Sequence, residues 1–259
     1  MSDELKVERI GHVMVVTIDR QERMNALSAE VREGLQEAWR STKTDRSVRA
    51  IVITGAGTRA FCTGMDLKAF AERGGPAPAK DDVHEELRTT PLNCDVWLPT
   101  IVAVNGVCTG AGFHFIADAD IVIASTSASF LDTHVSVGQV AALEPITLLP
   151  RIGLGNALRL AVLGKHGRFG AEDAHRISLV DEVVAPEALL GRAIELAELA
   201  ATGSPGAIEA SKRAIRGALE LPMHDAMQSG WELLLDFRSH PDNKEGPQAF
   251  VEKREPRWQ

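Results

Sequence analysis

Tyrosine is absent from the 259-residue chain, so no phenol can act as acid, base or donor in any chemistry it performs. Four Trp and eight Phe are the whole aromatic supply, a poor stacking platform for single-stranded bases. Positive charge is scarce and dispersed. Lys and Arg total 28 against 36 Asp and Glu, the net charge is −8, and there is no basic run of five, which argues against nucleic acid or anionic membrane as partner. The three cysteines, Cys62, Cys94 and Cys108, are odd in number and widely spaced. They form no redox or metal-type pair, so a disulfide scaffold is excluded and a reducing compartment is expected. The charged N-terminal segment has no apolar signal region, and no stretch reads as long enough to span a bilayer. A cytoplasmic protein is expected. No metal-ligand spacing occurs, and Gly153-Leu-Gly155 lacks the remainder of a dinucleotide fingerprint, so neither a metal nor a bound cofactor is expected.

What is present is an ordinary globular balance, 44% hydrophobic and 25% charged, with enough chain for a large core. Val13–Ile18, Arg49–Thr54, Thr100–Asn105, Ile121–Ala124 and Val180–Val184 read as strands, the first after a turn at Gly11-His12. Ser28 is placed to cap a helix whose apolar face is Val31, Leu35, Ala38 and Trp39. Gly64-Met-Asp-Leu-Lys should start a short helix, and Gly110 to Ala119 another. Gly74–Asp82, rich in Gly and Pro, is the best candidate for a mobile loop. Strand, glycine turn, helix, strand recurs, which predicts an α/β fold with mostly parallel strands. After Pro186 the chain turns helical, with starts near Ser204 and Pro222. The expected division is a core over 1–200 and a C-terminal helical region over 201–259.

Two glycine turns precede helices: Ala60-Phe-Cys-Thr-Gly-Met-Asp-Leu67 and Val104-Asn-Gly-Val-Cys-Thr-Gly-Ala-Gly-Phe-His114. The N–H groups that begin a helix have no internal partner and favour negative charge. Two such ends facing each other would cradle an oxyanion; two ordinary βα loops would look the same in sequence.

Asn25-Ala-Leu-Ser28, Phe61-Cys-Thr-Gly-Met-Asp-Leu67, Ala103-Val-Asn-Gly106 with Gly110-Ala-Gly112, and Ala249-Phe-Val-Glu-Lys-Arg-Glu-Pro256 occur in that order. Together they resemble the crotonase (enoyl-CoA hydratase/isomerase) superfamily from about Val13 onward. The resemblance implies a spiral of ββα units with a C-terminal helical trimerisation region, and a homotrimer or dimer of trimers. It implies an acyl-CoA substrate, with coenzyme A entering only as part of that substrate. The thioester oxygen would lie between the backbone N–H groups of Met65 and Ala111 as an enolate forms. Asn25, Ala26, Leu27, Ala60, Asp66 and Leu67 would line the CoA path. Phe250 and Lys253 would close on the nucleotide end of a neighbouring subunit's CoA.

The departures are as informative. Hydratases of this family carry one glutamate on the helix after the second glycine turn and another about twenty residues on. Here those positions hold His114 and His134, and the following glycine-rich stretch is replaced by Ala141-Ala-Leu-Glu-Pro145. Loss of both glutamates speaks against simple syn-hydration of a 2-enoyl-CoA. Histidine titrates near neutrality and can serve as acid or base, so two imidazoles can still run enolate chemistry. His134, in the polar Asp132-Thr-His stretch, is the principal candidate, with Glu144 or Asp132 to orient it. His114, within Phe113-His-Phe-Ile116, is equally readable as a core histidine. The expected function is therefore enoyl-CoA hydratase/isomerase-type enolate chemistry with His in place of Glu. Two alternatives stand beside it: a hydrolase that cleaves a C–C bond in a 1,3-dicarbonyl with a His/carboxylate pair, and a non-catalytic CoA-binding homologue.

Overall fold

The computed structural model describes residues 3–66, 69, 72, 74 and 81–259. Leu67 and most of the expected loop and short helix around it lie outside these residues. In chain order the strands are β1 (Leu5–Ile10), β2 (Val13–Ile18), β3 (Ala50–Gly55), β4 (Ala60–Cys62), β5 (Thr100–Val104), β6 (Val107–Cys108), β7 (Ile121–Ser125), β8 (Ser129–Phe130), β9 (Phe169–Gly170) and β10 (Glu182–Val184). Among the described residues they form two sheets. One has the order β1-β2-β3-β5-β7-β10, parallel except for the β1-β2 hairpin; the other has the order β4-β6-β8-β9, with only β9 antiparallel. The pairs β3/β4, β5/β6 and β7/β8 each give a longer strand to the first sheet and a short one to the second. This is the expected spiral of ββα units.

The large sheet is buried on both faces, which is why its strands read as unbroken apolar runs. Val13, Val15, Ala50, Val52, Ile101, Ala103 and Ile123 pack against Leu189, Ala193, Ala197 and Ala201, one stripe of helix Leu189–Ala201. Met14, Val16, Ile51, Ile53, Val102, Val104 and Val122 face a second core with Phe61, Phe113 and Phe115. Helix Ala29–Thr42 joins that core through Val31, Leu35, Ala38 and Trp39, and Ser28 Oγ accepts the Val31 N–H at 3.1 Å, as the sequence predicts. Strand β1 escaped the sequence reading because it is an edge strand whose charged side chains alternate with its apolar ones.

One expectation is corrected. Helix Leu143–Leu163 lies in a segment, Leu143–His166, that is long and apolar enough to cross a membrane, with a mean hydropathy of 1.3. It is not one continuous rod: Gly153, at φ +69°, breaks it in two just after Pro150. Pro145, Leu148, Ile152, Ala157 and Leu160 are buried, while Ile146, Leu154, Leu158 and Val162 face outward.

Helices Pro205–Gly217, Met223–Phe237 and Asp242–Glu252 follow. Lys212 Nζ donates to Leu98 O (2.7 Å) and to Asp120 Oδ2 (2.6 Å), and Arg216 donates to Asp118 O at 2.5 Å. These bonds seat helix Pro205–Gly217 on the starts of β5 and β7. Asp120, which also accepts the Thr100 N–H at 2.8 Å, is thereby structural.

Asn105 ties the first glycine turn to the sheet. Its Oδ1 accepts from Gly55 N (3.1 Å), and its amide donates to Gly57 O (2.8 Å) and Ala60 O (3.0 Å). Asn105→Ala strands three backbone groups, two of which no other side chain replaces; chemical denaturation should show a loss of ~2–4 kcal/mol, and a loss below ~0.5 kcal/mol would contradict this role.

Candidate active site

Strands β4 and β6 are parallel neighbours with Cys62 opposite Cys108, and each continues into the same residues, Cys-Thr-Gly, at 62–64 and 108–110. Register alone therefore brings the two glycine turns out side by side. Thr109 N donates to Cys62 O at 3.1 Å and fastens one turn to the other. Gly64 has φ +80°, and a Cβ there would lie 2.9 Å from Ala111 N. Glycine is thus required at 64 twice over, by backbone conformation and by close approach. Among the described residues no protein acceptor takes the N–H of Met65 or of Ala111. Ala111 is the N-cap of helix Gly112–Asp118. The arrangement is a pair of open donors on adjacent turns, the kind of group that can receive an oxyanion.

The Asn25–Leu27 segment runs along the first turn, with Leu27 N donating to Gly64 O at 2.7 Å. Asn25 is 1% exposed and in the left-handed region; its side chain is spent on Arg20 N, Ala56 O and Ala60 O. It shapes the turn from below, while Ala26, Leu27 and Ala60 are buried. Arg20, which the sequence reading passed over, donates to Ala26 O (2.7 Å) and pairs with Asp66 (3.2 Å). Phe250 and Lys253 lie on the last helix and its C-cap, with the Phe250 ring 85% exposed.

The titratable groups stand beside the second turn. A Cβ on Gly110 would lie 3.8 Å from His134 Cε1, so the imidazole borders the open donors. His134 Nδ1 is 2.9 Å from Asp132 Oδ1, and the same oxygen accepts the His134 backbone N–H at 2.8 Å. On the far side of the ring, Nε2 is 3.8 Å from Glu144 Oε1, which is also 3.5 Å from His114 Nε2. Glu144, at the start of helix Leu143–Leu163, thus lies between two imidazoles. The sequence left His114 open between core and site. It is buried, as a core residue would be, yet its ring nitrogen points at Glu144.

Hydrogen bonding to Asp132 raises the His134 pKa above its ordinary value; burial opposes this, and the charges of Glu144 and Asp132 reinforce it. Burial alone would raise the Glu144 carboxyl, but the His114 hydrogen bond and the two imidazoles more than offset it and hold the acid below the usual carboxylate range. Burial pushes the Cys62 thiol up to about 12 and the Cys108 thiol upward as well, so neither is a nucleophile at neutral pH. An NMR titration should place the His134 imidazole above 6.5, and Asp132→Asn should bring it down. Because the native pKa exceeds the unfolded one, the Asp132–His134 contribution to stability is full below pH ~6.5 and is lost as pH rises through the native pKa. A His134 pKa below 6.5 in the wild type would contradict the pairing.

Asp132, His134 and Glu144 carry ligand-type atoms within 4.8 Å of one another, a cluster that linear spacing did not reveal because helix packing brings Glu144 in. Asp132 is fully buried and its Oδ2 has no partner among the described residues. The 2.9 Å contact between His134 and Asp132 is a direct hydrogen bond, which suits a proton relay better than a shared cation.

The sequence profile of the enoyl-CoA hydratase/isomerase family matches residues 8–259. The chain is 35% identical over 253 residues to (E)-benzylidenesuccinyl-CoA hydratase of Thauera aromatica, covering 96% of each protein. It is 34% identical over 264 residues to carnitinyl-CoA dehydratase of Salmonella agona, covering 100% of this chain and 99% of that one. Among solved structures, an enoyl-CoA hydratase/isomerase from Mycobacterium paratuberculosis superposes with a TM-score of 0.90 at 36% identity, over 99% of this chain and 98% of that one. An enoyl-CoA hydratase from Bacillus anthracis gives 0.87 at 31% identity, over 99% of both chains.

Proposed function

This chain belongs to the enoyl-CoA hydratase/isomerase family, and on that premise we propose that it interconverts an enoyl-CoA plus water with the corresponding 3-hydroxyacyl-CoA through an enolate. The observation that carries this reading is the placement of Glu144 between His114 and His134 beside two open backbone donors. Glu144 supplies a carboxylate where the family's two glutamates are missing. The Glu144 carboxyl is held below the usual carboxylate range and is ionised at neutral pH, whereas hydrogen bonding to Asp132 raises the His134 imidazole above its ordinary value and suits it to give and take a proton. In the hydration direction Glu144 takes a proton from water as its oxygen bonds to Cβ. The Cα–Cβ π electrons move onto the thioester oxygen, held by the N–H groups of Met65 and Ala111. His134 then delivers a proton to Cα as the carbonyl re-forms. Asp132 holds His134 with Nε2 facing the substrate, and His114 holds Glu144 and the water. Two relatives whose names describe hydration and dehydration of CoA esters support the reaction class.

The Asp132–His134 dyad favours a second reading, attack of His134-activated water on a 1,3-dicarbonyl with C–C cleavage. Purified protein should be assayed with crotonyl-CoA, a 3-enoyl-CoA and a cyclic 1,3-diketone. Turnover of enoyl-CoA, unchanged after dialysis against EDTA, is expected; turnover of the diketone alone would replace the first reading with the second.

The same reading places Ala26, Leu27, Ala60, Asp66 and Leu67 along the CoA path, and has Phe250 and Lys253 of one chain reach a neighbour's CoA. The exposed apolar side chains of the helices, among them Leu154, Leu158, Val162, Met223, Met227 and Trp231, suit burial in a homotrimer or a dimer of trimers. Light scattering that returns a stable monomer would contradict this assembly.

A further inference from the structure

At the other end of the large sheet's strands, where β3 begins, a cleft of about 760 Å³ opens between the core and the C-terminal helices. It is separated from the catalytic turns by the length of β3, roughly 20 Å. Its side-chain charge runs against that of the whole molecule: the side chains of Lys43, Arg46, Arg49 and Arg213 outnumber those of Asp95 and Glu209, in a chain of net charge −8. Both carboxylates are already engaged. Asp95 pairs with Lys43 (3.7 Å) and Arg213 (3.4 Å), and Glu209 pairs with Arg213 (2.9 Å). The guanidinium groups of Arg46 and Arg49 have no hydrogen bond or ion pair among the described residues, and Arg49 Nε is buried without an acceptor. A buried, unpaired guanidinium donor is uncommon in a folded protein, and an anion in the cleft would satisfy the group.

The walls also carry rings. Arg213 stacks over Trp97 at 4.2 Å from the ring centroid, and Trp258 stands at the junction with an adjoining cleft of about 330 Å³ that shares both Trp258 and Arg49. Two unpaired arginines three residues apart, next to an indole, match a ligand with a phosphate at one end and a flat ring at the other. We propose that this cleft is a second binding site, distinct from the CoA path, for a nucleoside phosphate. Its phosphate oxygens would lie between Arg46 and Arg49 and its base against Trp258. The outward apolar side chains named above, on helices Leu143–Leu163 and Met223–Phe237, are not among the residues that line the cleft.

The test is calorimetric and fluorescence titration of the full-length protein with ADP, GDP, adenosine and inorganic phosphate, with the catalytic site saturated by acetyl-CoA. The expected result is saturable binding of one nucleotide per chain, with quenching that is lost in Trp258→Phe. Affinity should rank nucleoside diphosphate above phosphate and well above adenosine. Arg46→Glu alone, at an exposed position, and Arg46→Ala/Arg49→Ala together should each weaken ADP at least tenfold while leaving kcat on the enoyl-CoA unchanged. The proposal is overturned if acetyl-CoA displaces all bound ADP, if the arginine variants bind it as tightly as wild type, or if nothing binds at millimolar concentration.

Discussion

Replacing His134 with alanine is expected to lower kcat/KM on the enoyl-CoA substrate about 10³-fold, close to 4 kcal/mol of transition-state stabilisation, while acyl-CoA affinity changes little. The loss is large because the imidazole borders the glycine turn at Gly110, next to the open N–H of Ala111, with its outer nitrogen free of a backbone partner. No tyrosine exists to replace it, and both nearby cysteines are buried with raised pKa values. Alanine also strips the fully buried Asp132 of its imidazole partner, leaving only the His134 backbone N–H, so a stability cost of ~1–3 kcal/mol should accompany the change. His134→Gln separates the two effects. Its side-chain amide can still donate to Asp132 but cannot carry the proton, so stability should return and activity should not. Full activity in either variant would leave Asp132–His134 a structural pair and move the acid/base role to another group.

The second large effect is expected at Ala111. Proline there deletes one backbone N–H and puts a ring Cδ in place of the hydrogen, while leaving the rest of the turn's hydrogen bonds intact. Residue 111 has φ −57°, close to the angle the pyrrolidine ring imposes; it begins a helix, and no protein acceptor among the described residues uses its N–H. Gly110 before it has φ +53°, which glycine tolerates ahead of proline more readily than any other residue. Loss of one oxyanion donor costs about 10²–10³-fold in kcat in comparable sites, and Ala111→Pro should fall in that range with a melting temperature within a few degrees of wild type. Ala111→Gly keeps the N–H and should retain most activity. If proline and glycine at 111 behave alike, the donor at that position is not part of the chemistry.

Much of the architecture was legible because burial wrote it into the chain. The strands of the large sheet are covered on both faces, so Val13–Ile18, Ile51–Thr54 and Thr100–Val104 are unbroken apolar or β-branched runs. The second sheet was invisible for the converse reason: β4, β6, β8 and β9 are two or three residues long, and their pairing is decided by partners far along the chain. That sheet is what turns two glycine loops into one site. Each loop was conspicuous alone, but their facing depends on Cys62 lying opposite Cys108. The repeated Cys-Thr-Gly was the available signal: identical short segments leaving neighbouring parallel strands must emerge at the same edge.

The titratable residues show the same division. His134 and Asp132 are two apart, close enough for local backbone geometry to suggest their bond. Glu144 reaches them only because Pro145 and Leu148 bury the first turns of helix Leu143–Leu163 against the core. The orientation of His114 toward Glu144, where Phe113 and Phe115 on the same helix enter the core, likewise follows from packing that no linear pattern reports.

The most direct measurement of enolate formation is exchange of the Cα hydrogen of a bound saturated acyl-CoA in D₂O, followed by mass spectrometry or NMR. Such a substrate has no double bond to hydrate and isolates the step shared by His134 and the two backbone donors. The account predicts deuterium incorporation at Cα catalysed by the wild type, reduced at least 10²-fold in both His134→Gln and Ala111→Pro. Undiminished exchange in those variants, or none in a wild type that turns over enoyl-CoA, would contradict it.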